Sequence, residues 1–410
     1  FQAEDGIRDV ERSRGLGDVY KRQVIVRSFV VTPRLARRRD MATMTRASAT
    51  VANARRGPSS ATTTTKTRAD EVARMRSRAP LRARATARAV SDAGDWRCPL
   101  RGCDVGDLRT KRLITAVKTP YLESGKVDLY AYDALIEAQV AGGVEGVIVG
   151  GTTGEGQLMS WDEHIMLIAH TAQKYGSRVK VIGNTGSNST REAVHATQQG
   201  FAVGMDASLQ INPYYGKTST KGLLEHFEAV MDLGPAIVYN VPARTSQDIA
   251  PETMFELATH ENFAGVKECE GNARIKQYTD NGVTCWTGND DECHDARYEA
   301  GAVGVISVTS NLVPELMREM LFDGPNPELR DRLAPLKGWL FAEPNPTRIN
   351  TACAMLGVAK PVFRLPYVPY DAELRARGAD LLRAVSLDAV AGAGVLHSLD
   401  DTDFTILRDC

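Results

Sequence analysis

The stretch Glu145–Asn184, EGVIVGGTTGEGQLMSWDEHIMLIAHTAQKYGSRVKVIGN, decides the fold. It opens on a short apolar run, crosses a glycine- and threonine-rich turn, and enters an amphipathic stretch that closes on Gly176. A second apolar run follows. Near-continuous apolar strands separated by helices are buried on both faces, which is the mark of a parallel sheet. The alternation holds from about Leu113 onward, through LITAVKTP, EGVIVGG, VKVIGN, ASLQINP, AIVYNVP, FAGVKE, VTCWTG and GVISVTS. Between these runs lie helical periods such as DLYAYDALIEAQVAGG, again closing on glycine, as helices often do. Eight units within roughly 210 residues predict an α/β fold of the (β/α)8 TIM-barrel type, which typically takes about 250. The rival is a doubly wound open sheet. No GxGxxG follows the first strand, which removes the commonest nucleotide-binding version of that rival.

After the eighth unit the chain runs through EPNPTRINTACAMLG and a helical stretch near 371–385, read as additional C-terminal helices packing on the barrel. The expected organisation is a barrel over 104–325, a helical extension over 326–395 and a tail over 396–410. The tail, LHSLDDTDFTIL, shows no clear period.

Composition bounds the function. Hydrophobic residues are 43% and charged residues 25% of the chain, ordinary values for a soluble globular enzyme. The net charge of −1 hides an asymmetry, because Val24–Gly102 holds about eighteen Lys and Arg against five Asp and Glu. Those arginines are scattered among Ala, Thr and Ser without interleaved aromatics, which argues against nucleic acid as a partner. An Arg- and Ser-rich, acid-poor segment reads as an organelle transit peptide, here 41–103, with Met41 as the start and the chloroplast or plastid stroma as destination. Residues 1–40, with AEDGIRDVERSRGLGDVYKRQ, resemble a translated adaptor and are set aside. No run approaches the roughly 18 apolar residues of a membrane span, so no membrane partner is expected. Seven cysteines form no CxxC pair and no His/Cys cluster, so neither a disulfide framework nor a metal site is indicated.

In a (β/α)8 barrel the chemistry sits at the C-terminal strand ends. Those ends read GGTTGEG, NPYYGK, YNVPART, Lys267, TGNDD and SVTSN, a convergence of polar and aromatic groups on one mouth. Lys267, in FAGVKECEG, stands out. Lysine is rarely buried without a partner, since desolvating an ammonium is costly. Either it emerges into water at the strand end, or it is an amine kept in dry surroundings. Burial lowers a lysine pKa, and the neutral amine is the nucleophile that forms a Schiff base with a carbonyl.

The motifs GTTGEGQLMSWDEH, GSNSTREAV, INPYYGKTS, YNVPART and GVKECEGN keep the order and approximate spacing of one family. From roughly Leu113 to Tyr370 the chain resembles the dihydrodipicolinate synthases, in their plant and algal form. The resemblance implies that Lys267 forms the Schiff base with pyruvate and that no metal or organic cofactor is needed. It implies proton transfer through Tyr239, Thr153 and Tyr215, the last reaching in from a neighbouring subunit. Thr152 and Thr153 would hold the pyruvate carboxylate, and Arg244 the carboxylate of L-aspartate 4-semialdehyde. Gly288 and Ile306 match positions whose backbone lies against substrate.

The resemblance further implies a feedback site for L-lysine between two subunits, using Gln157, Trp161, His164, Asn188, Glu192 and Tyr214. Trp161 and His164 lie three apart on one helix face. Ser189 and Glu192 have capping-box spacing, which by itself would account for the glutamate. A homo-oligomer, a dimer of dimers, is implied as well. The alternatives are another pyruvate-dependent class I aldolase, of the N-acetylneuraminate lyase or keto-sugar-acid type, and a non-catalytic lysine-binding barrel. Arg244 together with the second tyrosine of NPYY favours the synthase.

Overall fold

The computed structural model describes residues 104–385, 390 and 395–408. The expectations for 1–40 and 41–103 lie outside the described residues. Eight parallel strands close into a barrel in sequence order: β1 (Leu113–Ala116), β2 (Gly146–Val149), β3 (Lys180–Asn184), β4 (Ala207–Ile211), β5 (Ala236–Asn240), β6 (Phe263–Glu268), β7 (Cys285–Thr287) and β8 (Gly304–Ser307). Each coincides with one of the eight apolar runs, and β8 closes the ring by pairing Ile306 with Ile114 of β1.

The inner face carries Ile114, Ile148, Ile182, Leu209, Ile237, Ile306 and Trp286, all buried, so the barrel is filled rather than hollow. At the base the Trp286 indole donates to the Lys111 carbonyl at 2.7 Å. Residues of the outer faces, such as Val147, Val181, Val238 and Val266, pack under the surrounding helices. Each fully buried aliphatic side chain contributes about 1.5–3 kcal/mol, which is why these strands show no polar alternation. Among the described residues no helix is long and apolar enough to cross a membrane.

Strand β6 departs from regularity where it matters. Ala236 pairs with Phe263, but Ile237 pairs with Gly265, so β6 carries one extra residue there. Phe263 and Val266 both face outward while Ala264 faces in. Simple alternation from Ala264 would turn Val266 inward and Lys267 outward. The bulge reverses this and sets Lys267 opposite Tyr239, itself on the inner face. Gly265 is required here: its φ is 150° and a Cβ would lie 2.6 Å from the Trp286 ring and 2.7 Å from the Thr284 carbonyl oxygen.

The C-terminal segment is more than helices. After Pro327–Phe341 and Thr347–Met355 comes β9 (Val362–Arg364), and after the helix Ala372–Ala384 the tail returns as β10 (Thr405–Leu407), pairing parallel with β9. The tail read from sequence as lacking period is therefore partly a strand. Three residues are too few for alternation to register. The capping-box reading is also corrected. Ser189 sits at the N-cap of Thr190–Ala202 but its side chain caps nothing. Instead the Ser187 hydroxyl accepts from the Ser189 N–H at 3.2 Å and donates to Glu192 at 3.1 Å.

Candidate active site

The strand ends open into a cavity of about 460 Å³ lined by residues of almost every strand. It brings together Thr152, Thr153, Tyr239, Arg244, Lys267 and Gly288 of the expected catalytic and substrate-binding set. Lys267 is 8% exposed, and its ammonium nitrogen lies 4.4 Å above the Tyr239 ring. Among the described residues it makes no ion pair. Burial pushes its pKa below the ordinary lysine range, against the opposing pull of Cys269 and Asp290. Asp290 is occupied elsewhere, since one of its oxygens accepts from the Val308 and Thr309 N–H groups and the Thr309 hydroxyl.

One residue beyond Tyr239 and Lys267, the two strands are tied together. Asn240 donates to both Glu268 oxygens, at 3.0 and 3.1 Å, and to Asp248 at 2.8 Å. Glu268 also accepts from the Cys269 and Glu270 N–H groups. The pair fixes β5 against β6 at the register that stacks the amine on the phenol. Burial raises the Tyr239 hydroxyl well above the ordinary phenol value, so it stays protonated and available as a donor. Burial likewise raises Cys269 to about 11, which leaves the cysteine beside the amine a thiol.

The GTTGEG turn owes its shape to a residue that sequence reasoning did not single out. Glu155 has a left-handed backbone (φ 58°), unfavourable by about 1–2 kcal/mol for a side-chain-bearing residue. It is held there by a buried ion pair with Lys118 and by Asn350, which donates to it at 2.7 Å. Asn184 at the end of β3 braces the same turn through the Gly150 carbonyl at 2.8 Å. Thr152 and Thr153 are thereby presented to the cavity.

Asn345, from the extension, is the second omission. Its side-chain amide donates to the Thr153 hydroxyl oxygen at 2.9 Å, and its carbonyl accepts from the exposed Arg244 guanidinium at 3.2 Å. Because Thr153 receives a hydrogen bond, its own proton is free to point elsewhere. No spacing rule could have found a residue 192 positions from its partner.

The remaining expected residues are dispersed. Ile306 is wholly buried on the barrel's inner face and does not line the cavity; Val308, two residues on, does. Tyr215 has a positive φ of 69°, is 95% exposed and does not line its own cavity. Gln157, Trp161, His164 and Tyr214 line one side of the main cavity. Trp161 also borders a second hollow of about 350 Å³ with Glu192. Trp161 and His164 stack, with ring centroids 5.4 Å apart and planes 9° apart. Burial lowers His164 to about 4, so it is neutral at physiological pH. Asn188 is exposed and donates to the Tyr214 carbonyl at 3.3 Å. Among the described residues no cluster of His, Cys, Asp and Glu could hold a metal.

A (β/α)8 barrel with a buried amine stacked on a phenol at its mouth is equipped as an imine-forming lyase. The model of the dihydrodipicolinate synthetase family matches residues 109–385. The 4-hydroxy-tetrahydrodipicolinate synthase of Coix lacryma-jobi, a chloroplastic protein, is 60% identical over 315 residues, covering 75% of this chain and 84% of that relative. The dihydrodipicolinate synthase structure from Aquifex aeolicus aligns with TM-score 0.64 at 36% identity, over 68% of this chain and 98% of that one. That of Cyanidioschyzon merolae with lysine bound aligns with TM-score 0.64 at 28% identity, over 68% and 99%. The chain belongs to the dihydrodipicolinate synthetase family.

Proposed function

We propose that this chain condenses pyruvate with L-aspartate 4-semialdehyde through an imine on Lys267, as a 4-hydroxy-tetrahydrodipicolinate synthase of the chloroplast. The observation that carries the residue assignment is Lys267 itself, buried, without an ion-pair partner among the described residues and stacked on Tyr239. A neutral amine adds to the ketone carbon of pyruvate, and the adduct loses water to give the imine. Loss of a methyl proton gives the enamine, whose carbon bonds to the aldehyde carbon of the semialdehyde. The amino group of that substrate then displaces Lys267, closing the ring and restoring the free amine. The imine is itself the electron sink, so the steps call on no metal or organic cofactor.

Tyr239, Thr153 and the neighbour's Tyr215 relay the protons, a role open to hydroxyls because each both donates and accepts. Thr152 and Thr153 hold the pyruvate carboxylate, and Gly288 presents backbone to the substrate. The Arg244 fork takes the second carboxylate. L-lysine binds at Gln157, Trp161, His164, Asn188, Glu192 and Tyr214; a neutral His164 suits a cationic ligand better than an imidazolium would. Exposure of Tyr214 and Tyr215 supports assembly into at least a dimer, with a dimer of dimers as the full assembly. The barrel spans 104–325, the extension 326–395 and the tail 396–410, with 41–103 as the transit segment and 1–40 as non-native sequence.

The test is borohydride reduction with pyruvate, read by peptide mass, alongside a condensation assay. The expected result is a pyruvate adduct on Lys267 together with turnover of the semialdehyde. An unmodified Lys267 overturns the assignment, and an adduct without condensation moves the chain to the lyase branch.

A further inference from the structure

The C-terminal tail has no part in the chemistry above, yet its contacts lead to the second site. Strand β10 pairs with β9 through Thr405–Val362, Ile406–Phe363 and Leu407–Arg364. The pairing is reinforced by Phe404 edge-on to Phe363, with centroids 5.8 Å apart, and by Asp401 bridging Arg375 at 2.6 Å. The Leu365 N–H donates to the Leu407 carbonyl at 3.1 Å, extending the grip one residue past β9.

What β9 carries is directed at the turn and helix start of the second site. The buried Arg364 guanidinium takes both oxygens of Glu163, at 2.7 and 2.9 Å, and donates to the Leu158 carbonyl at 3.3 Å and to the Gly125 carbonyl. Three residues further on, the Tyr367 hydroxyl accepts from the Gln157 side chain at 2.7 Å. Gln157, Trp161 and His164 therefore all lie in the segment 157–164 that Arg364 and Tyr367 hold. Bidentate pairing of a buried arginine fixes orientation as well as distance. Gln157 is itself exposed, so without the phenol its amide would sample several rotamers.

We propose that Arg364 and Tyr367 are positioning residues of the second site, and that the tail strand β10 sets them, so that this short strand governs sensitivity to lysine rather than turnover. The inference rests on reading Gln157, Trp161 and His164 as a lysine site. Ordering the site in advance lowers the cost of binding, and loosening it lowers affinity without a lost contact to the ligand.

The experiment compares the full chain with Phe404→Ala, Phe404→Tyr and Tyr367→Phe. For each, kcat, KM for pyruvate, the half-inhibiting concentration of L-lysine and calorimetric lysine binding are measured. Phe404→Ala is expected to raise the half-inhibiting concentration about tenfold with kcat and KM within twofold, and Phe404→Tyr to restore it. Tyr367→Phe is expected to shift inhibition by more than it shifts kcat. Inhibition unchanged in Phe404→Ala and Tyr367→Phe overturns the inference, as does a parallel fall of kcat and lysine sensitivity, which marks a general structural role. A full chain that binds no lysine overturns the second-site reading and this inference with it. A full chain that binds lysine, with variants that bind it equally, overturns the inference alone.

Discussion

The same dipeptide occurs twice at the mouth end of this barrel, as Val117-Lys118 just after β1 and Val266-Lys267 within β6, and both copies bury the lysine, at 3% and 8% exposure. Each ammonium also sits over a tyrosine ring, Lys118 at 5.0 Å from Tyr121 and Lys267 at 4.4 Å from Tyr239. The difference is one carboxylate. Lys118 is paired with Glu155, whereas the carboxylate nearest in influence to Lys267, Asp290, is tied to backbone and hydroxyl donors of the loop after β8. A buried lysine paired with a carboxylate holds a loop. An unpaired one is driven toward the neutral amine that chemistry needs.

Exchanging the roles of the two lysines is the sharpest way to break this comparison. Lys267→Met is expected to lower turnover by about ten-thousand-fold or more, since loss of a nucleophile removes the whole covalent route. Pyruvate trapping should vanish while the thermal midpoint holds or rises, because an uncompensated buried amine is gone. A variant that still traps pyruvate at another lysine would end the distinction. Lys118→Met should do the reverse. It leaves Glu155 buried and unpaired, a loss of about 3–5 kcal/mol in urea unfolding, while the purified folded enzyme still traps pyruvate on Lys267.

A smaller effect tests the contribution of the extension. Asn345→Ala removes the hydrogen bond to Thr153, about 1.4 kcal/mol and hence roughly tenfold in kcat/KM, with the pyruvate adduct retained. Unchanged kcat/KM would reduce Asn345 to packing. The smallest effect is in acid. His164 and His226 are both lowered to about 4 by burial, so in the range from their ordinary value down to 4 the unfolded chain binds protons that the fold does not. Stability is then fully present above roughly 6.5 and falls as pH drops toward 4. His164→Asn should flatten part of that slope in thermal melts between pH 7 and 4, and an unaltered slope would show that His164 does not carry it.

Sequence reasoning reached the barrel because eight strands apolar on both faces alternate with helices, and the missing GxGxxG removed the commonest form of the doubly wound rival. It placed Lys267, Tyr239, Thr153 and Arg244 at one mouth because those strands must end on the same side. It passed over Lys118, although LITAVKTP and FAGVKE carry the same Val-Lys signature, because the deciding carboxylate arrives from another strand end, 37 residues on. Asn345 and Asn350 escaped for the same reason, being contacts of long separation between segments with no shared period. The capping box failed differently, because Ser187 supplied a competing hydroxyl two residues earlier. Strand β10 was hidden by its length.

The extra residue in β6 gives that strand a parity, and parity has consequences for lineages. Inserting one residue between Gly265 and Val266 would turn the amine out among the helices and put Val266 in the cavity. The same change ahead of Ala264 could be absorbed at the barrel's closed base, where the chain enters the strand from the turn after Leu257. The reactive lysine is thus indifferent to length drift on one side of the bulge and intolerant of it on the other. In a gene that accumulates small insertions, the single codon separating Gly265 from Lys267 marks the shortest stretch whose length selection must guard.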